Sequence, residues 1–151
     1  LTAIIRLRRL LPKLSRFEFD ACSGEASHVG WNGHGQGTLE ITQDDDRVRF
    51  FESGTFTVAG GSRSVPMRNV YRWELFDDRI GLFHERRGVE AAVALFDLIP
   101  EDDDSLVNAE VHQCAADAYS ARLVLTSEGL DLEWRIVGPH KDERILYHYR
   151  Q

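Results

Sequence analysis

The chain has 151 residues, of which 42% are hydrophobic and 28% charged, and a formal net charge of -7. That length suits one domain with a single apolar core, and the composition excludes disordered, collagen-like and coiled-coil classes. The acidic balance argues against nucleic acid as a partner, because a phosphate backbone rewards a face rich in Lys and Arg. No run reaches the roughly 20 apolar residues that span a membrane. Arg residues interrupt the N-terminal apolar stretch too often for a signal peptide, so a soluble, cytoplasmic protein is expected. Cys22 and Cys114 are the two cysteines, which implies no disulfide framework and agrees with a reducing compartment.

Residues 1–14 carry Arg6-Leu7-Arg8-Arg9 among Ile4, Ile5, Leu10, Leu11 and Leu14. This suits a short amphipathic helix laid across a barrel mouth, a partner or a membrane surface. The capping placement is preferred, since no other basic patch supports membrane attachment. After Pro12 the chain becomes a succession of short strand-like segments bounded by Gly, Asp, Asn and Ser. They cover Arg16–Ala21, Gly37–Thr42, Arg47–Glu52, Thr55–Val58, Arg68–Phe76, Arg79–Glu85, Ala91–Leu98, Glu110–Ala115, Ala118–Thr126, Leu130–Val137 and Glu143–Arg150.

Several segments alternate strictly. Leu130, Leu132, Trp134 and Ile136 lie between Asp131, Glu133 and Arg135, so one face is apolar and the other solvated. The connections are hairpin-sized, and none can hide a crossover helix, which makes a meander of antiparallel strands the economical topology. About eight to ten such strands expose hydrogen-bonding edges unless the sheet closes, which favours an up-and-down barrel. The longer connections, Cys22–Gln36 and Pro100–Asn108, are expected as surface loops. The run Glu101-Asp102-Asp103-Asp104 lacks the spaced ligands, turn glycine and distal Glu of a calcium loop and is expected as a solvated turn.

Distinctive residues cluster in the second half: His112-Gln113-Cys114-Ala115-Ala116-Asp117-Ala118-Tyr119, then Gly138-Pro139-His140-Lys141-Asp142, then Tyr147-His148-Tyr149-Arg150. With Phe51-Glu52-Ser53-Gly54, Tyr71-Arg72-Trp73, Phe83-His84 and Leu95-Phe96-Asp97-Leu98 upstream, the chain from about Gly35 to Arg150 resembles a family of small bacterial and fungal proteins known as a domain of unknown function. The resemblance implies a calycin or lipocalin-like barrel and carries no activity with it.

Chemistry-bearing residues fall into a few groups. On a hairpin, His112 or Cys114 would approach Tyr119, with Asp117 near the turn. An imidazole, a carboxylate and a phenol there form an acid–base set, but a hydrogen-bond network that braces the hairpin, with Cys114 as a small core residue, is the preferred reading. Metal is not expected, because His112 and Cys114 lack a second spaced pair and zinc needs three or four converging ligands. His28 and His34 flank Trp31 in the glycine-rich stretch and suit a solvated loop. Arg72 on the inner side of a barrel would anchor a ligand carboxylate or phosphate; on the outer side it would pair with a neighbouring acid. Lys141 could form a cationic lip beside the Gly138-Pro139 turn.

The expectation is therefore a small-molecule-binding barrel with Arg72, His84, His112, Tyr119, Trp134, Lys141 and Tyr147 as ligand-binding residues and a small apolar or amphipathic ligand. One alternative is a cofactorless isomerase, hydratase or decarboxylase using His112, Asp117 and Tyr119. Another is an interaction or homo-oligomerisation module working through the helix or an edge strand. Haem held by His84 or His112 is a fourth reading, and the expected set contains no cofactor.

Overall fold

Phe17, Phe19 and Ala21 alternate with Arg16, Glu18 and Asp20, and the computed structural model turns that alternation into strand β1 (Arg16–Ser23), apolar side inward and charged side outward. The structure describes residues 2–24, 32–85, 87–110, 112–114 and 116–151, with 112–114 placed as strand. The other strands are β2 (Gly33–Asp44), β3 (Arg47–Val58), β4 (Ser64–Leu75), β5 (Ile80–His84), β6 (Val93–Pro100), β7 (Ser105–Asn108), β8 (His112–Cys114), β9 (Asp117–Leu125), β10 (Gly129–Gly138) and β11 (Lys141–Arg150).

Among the described residues each strand pairs antiparallel with its sequence neighbour, except that β9 follows β7 in the ring, and β11 returns to β1. The result is a closed, ten-stranded up-and-down antiparallel barrel. β8 forms a hairpin with the first residues of β9, while β7 pairs with the far end of the same strand edge. Closure removes the exposed edges that an open meander would present.

Three segments differ from the sequence reading. Arg47–Glu52 and Thr55–Val58 are halves of one strand, because Ser53-Gly54 continues the ladder opposite Thr38 and Gly37. A Cβ at Gly37 would meet the Ser53 carbonyl, and one at Gly54 the Gln36 carbonyl, so these glycines mark close backbone approach and not a turn. The segment Pro100–Asn108 contains β7, whose Leu106 is fully buried, so only the acidic run itself is a turn. There Asp102 accepts hydrogen bonds from the Asp104 amide and the Ser105 hydroxyl at 2.8 and 2.9 Å, which hold its carboxyl below the ordinary value. Finally, Cys22–Gln36 is shorter as a connection, with β1 reaching Ser23 and β2 starting at Gly33; residues 25–31, with His28 and Trp31, lie outside the described residues.

Helix α1 (Ala3–Leu10) starts at Thr2, whose hydroxyl accepts from the Ile5 amide at 3.3 Å, and passes into one tighter turn, Leu11–Lys13, with Pro12 near its start. Ala3, Ile4, Leu7, Leu11 and Leu14 join the same buried cluster as Val48, Trp73 and Leu106. Arg6 pairs with Asp104 and Arg8 with Asp46 at 2.8 Å, which fixes the helix against the β6–β7 and β2–β3 turns. Both turns lie at one end of the barrel, so the helix closes that end. It is too short to cross a membrane, as is every helix among the described residues.

Because the helix is held by its apolar face, Leu7→Ala should lower unfolding free energy by about 2–4 kcal/mol, read from urea denaturation. Arg8→Ala, which removes an exposed ion pair, should cost less than about 1 kcal/mol in the same assay.

Candidate functional site

In β3 the alternation Val48, Phe50, Glu52 directs a carboxylate to the same inner face as two fully buried apolar side chains. Glu52 is 1% exposed. On β11 the same period directs Tyr147 and Tyr149 inward, and their hydroxyls donate to Glu52 Oε1 and Oε2 at 2.9 and 2.6 Å. Asn69, opposite Glu52 in the β3–β4 register, contributes a third side-chain hydrogen bond. No cation pairs with this carboxylate among the described residues. Burial raises the Glu52 carboxyl from 4.5 to about 7, and the hydrogen bonds from Tyr149, Tyr147 and Asn69 pull the other way without cancelling it. Burial also pushes both phenols well above their ordinary value, so they remain protonated donors.

An aromatic cluster surrounds this centre. Tyr147 packs against Phe19 at 4.8 Å, Tyr71 at 6.1 Å and Trp134 at 6.2 Å, measured between ring centroids. His84 stacks on Tyr71 at 4.8 Å, and its Nε2 lies 3.3 Å from Asn69 Oδ1. A polar line therefore runs across the lumen from His84 through Asn69 to Glu52 and the two tyrosines. Beyond it, toward the end away from α1, a cavity of about 480 Å³ is walled chiefly by Phe19, Ala21, Phe56, Met67 and Ile145, with Asn69 also in its wall. Gly35 makes room for this wall: a Cβ there would collide with the Phe19 ring, and one at Gly33 with Phe56.

The sequence-derived candidates divide clearly. His84, Trp134 and Tyr147 belong to the lumenal cluster. The Trp134 Nε1–H is buried and has no hydrogen-bond partner. Arg72 lies between the buried Tyr71 and Trp73 and therefore on the opposite, outer face. Its Nη1 is 3.0 Å from Glu85 Oε2, its Nε is 3.2 Å from Glu74 Oε1, and its guanidinium stacks 4.4 Å over Phe83. Arg49 shares Glu85 at 2.8 Å. The outer-face pairing, not the lumenal anchor, is what strand parity produces.

At the open end the β8–β9 register sets His112 opposite Tyr119 and Cys114 opposite Asp117, as a hairpin requires. The side chains of His112 and Cys114 lie outside the described residues. Asp117 Oδ2 is 3.7 Å from Lys141 Nζ, so the lysine at the start of β11 faces a carboxylate. His34 Nδ1 is 2.9 Å from Asp20 on the outer face of β2. Cys22 is a free, exposed thiol. Among the described residues no three His, Cys, Asp or Glu side chains converge as metal ligands.

Glu52, Asn69, Tyr71 and Tyr149 are the lumenal groups that sequence reasoning did not select. Tyr149 was available from its spacing to Tyr147, and Glu52 from its spacing to Val48 and Phe50. Because Glu52 binds its proton more tightly in the folded chain, stability falls as pH rises from 4.5 to about 7, by on the order of 3 kcal/mol. Glu52→Gln has no such proton. Urea unfolding of both proteins across this window should show the wild-type advantage over the variant shrinking with pH; parallel curves would contradict the raised value.

Neither the curated proteins nor the solved structures contain a match to the chain. Residues 20–151 match the model of a family described as a family of unknown function, DUF6314. The match takes in all the strands described above except the first residues of β1, so the lumenal centre lies wholly within it, and the chain belongs to that family.

Proposed function

We propose that this protein is a small-molecule-binding barrel of the calycin-like kind, whose lumen receives an apolar or amphipathic ligand. The observation that carries the reading is the cavity of about 480 Å³, apolar over most of its wall and ending on the Asn69–Glu52 centre. Ligand pockets usually combine such a size and apolar wall with a few convergent polar groups. Barrel width grows with strand number, and an eight-stranded barrel already holds one small ligand in lipocalins, so ten strands supply the room. The helix that plugs one end leaves the other as the entrance.

Acid–base catalysis in the same lumen is the second reading, and the Glu52 carboxyl near 7 favours it. His112, Asp117 and Tyr119 at the open end would be a separate source of proton transfer.

A neutral lipophilic probe such as N-phenylnaphthylamine should bind saturably with a rise in fluorescence. Met67→Trp, which fills the cavity from its wall, should weaken that binding by about tenfold or more. A wild-type protein that leaves the probe silent at all concentrations would overturn the ligand-binding reading.

A further inference from the structure

We infer that the lumen selects ligands with a cationic, hydrogen-bond-donating head, an alkyl- or arylamine in preference to a carboxylic acid, and that Glu52 is the group that receives that head. This rests on the ligand-binding reading above.

Two buried carboxylates occur among the described residues, Glu52 and Glu85. Glu85 has two guanidinium partners on the outer face, Arg49 and Arg72 at 2.8 and 3.0 Å. Glu52 has none, only three neutral donors. A buried carboxylate normally has a cation to offset its lost hydration, and three neutral hydrogen bonds leave this one short. An ammonium group supplied by a ligand provides both the missing charge and the missing N–H donors.

The route to Glu52 has the same polarity. Glu143 shares the inner face of β11 with Ile145 and Tyr147, lines the cavity, and has no ion-pair partner among the described residues. The arginines bordering the cavity are directed elsewhere. Arg144 is held by Glu133 at 2.9 Å, and Arg68 is exposed on the strand face opposite Met67 and Asn69. A ligand carboxylate would thus meet two carboxylates and no inward guanidinium, whereas an ammonium would meet two groups of opposite charge.

Asn69 is the wall between the cavity and Glu52, since it lines the first and hydrogen-bonds the second. Rotation about its two side-chain bonds vacates its place on the carboxylate for the entering N–H. It is a positioning residue in this scheme, and His84, at 3.3 Å from its Oδ1, sets its resting orientation.

The test is displacement of N-phenylnaphthylamine at neutral pH by decylamine, decanol and decanoic acid. The amine should displace the probe at a concentration about tenfold or more below the acid, and Glu52→Gln should bring the two close together while circular dichroism remains that of a β protein. An acid that competes as well as the amine, or an amine preference that survives in Glu52→Gln, overturns the inference. Should Glu52→Gln fail to fold, Asn69→Ala decides: it should strengthen the amine several-fold and leave the acid unchanged, and any other result counts against Glu52. If the probe and all three chains bind alike, the ligand-binding reading stands and this one falls. If nothing binds, both fall.

Discussion

The two phenol hydrogen bonds to Glu52 tie β3 to β11 across the barrel, between residues 95 and 97 positions apart in the chain. β1 and β2 separate these strands in the sheet, so the link spans the lumen and is not part of the ladder. It also divides the interior. On the helix side Phe50, Leu130, Leu106 and Trp73 fill the space with no exposure. On the other side the wall falls back to glycines and the cavity begins. The polar crossbeam marks that boundary.

The two ends of the barrel are built on opposite principles. At the closed end the strands are joined by short turns and α1 lays its leucines over them, held by Arg6 and Arg8. Most of the stabilisation there comes from removing apolar surface from water, which is indifferent to the identity of any ligand. At the open end several apolar side chains remain in contact with solvent, among them Val58, Val65, Val93 and Val137. The β6–β7 ladder, Leu98–Pro100 against Leu106–Asn108, lies beside the closed end and, among the described residues, does not continue to the open one.

Much of the architecture is legible in the sequence because one face of each strand is solvated. Leu130 to Ile136 alternate without exception, and the pairing with β9 and β11 follows that parity. Where the code is degenerate the reading fails for identifiable reasons. Phe50 and Phe51 are both aromatic, which obscures the parity that Val48 sets; Phe51 is 37% exposed and Phe50 is buried, so Glu52 shares the inner face with Val48 and Phe50. Gly33 and Gly35 look like loop residues because their role is to sit beneath the rings of Phe56 and Phe19, a contact between strands that composition does not reveal. β7 is hidden beside the acidic run, with only four residues to display a period. For Arg72 parity is plain, with Tyr71 and Trp73 on either side, but which face is the inner one is settled only by closure.

The polar interior is not what stability alone would choose. A buried carboxylate without a cation, and the Trp134 Nε1–H buried without an acceptor, each weaken the fold relative to an apolar side chain of similar shape, the second by about 1–3 kcal/mol. Both groups border one aromatic cluster through Tyr147, and one needs a donor while the other needs an acceptor. The Trp73 Nε1–H on the helix side is unpaired as well, so it is the carboxylate, joined to the cavity wall through Asn69, that sets the lumen apart. Such departures from local consistency are characteristic of binding and catalytic sites, where an incoming molecule completes what the chain leaves open. The case for a functional lumen thus joins the cavity to the uncompensated Glu52 carboxylate behind its Asn69 wall, a pairing that an amphipathic ligand would complete.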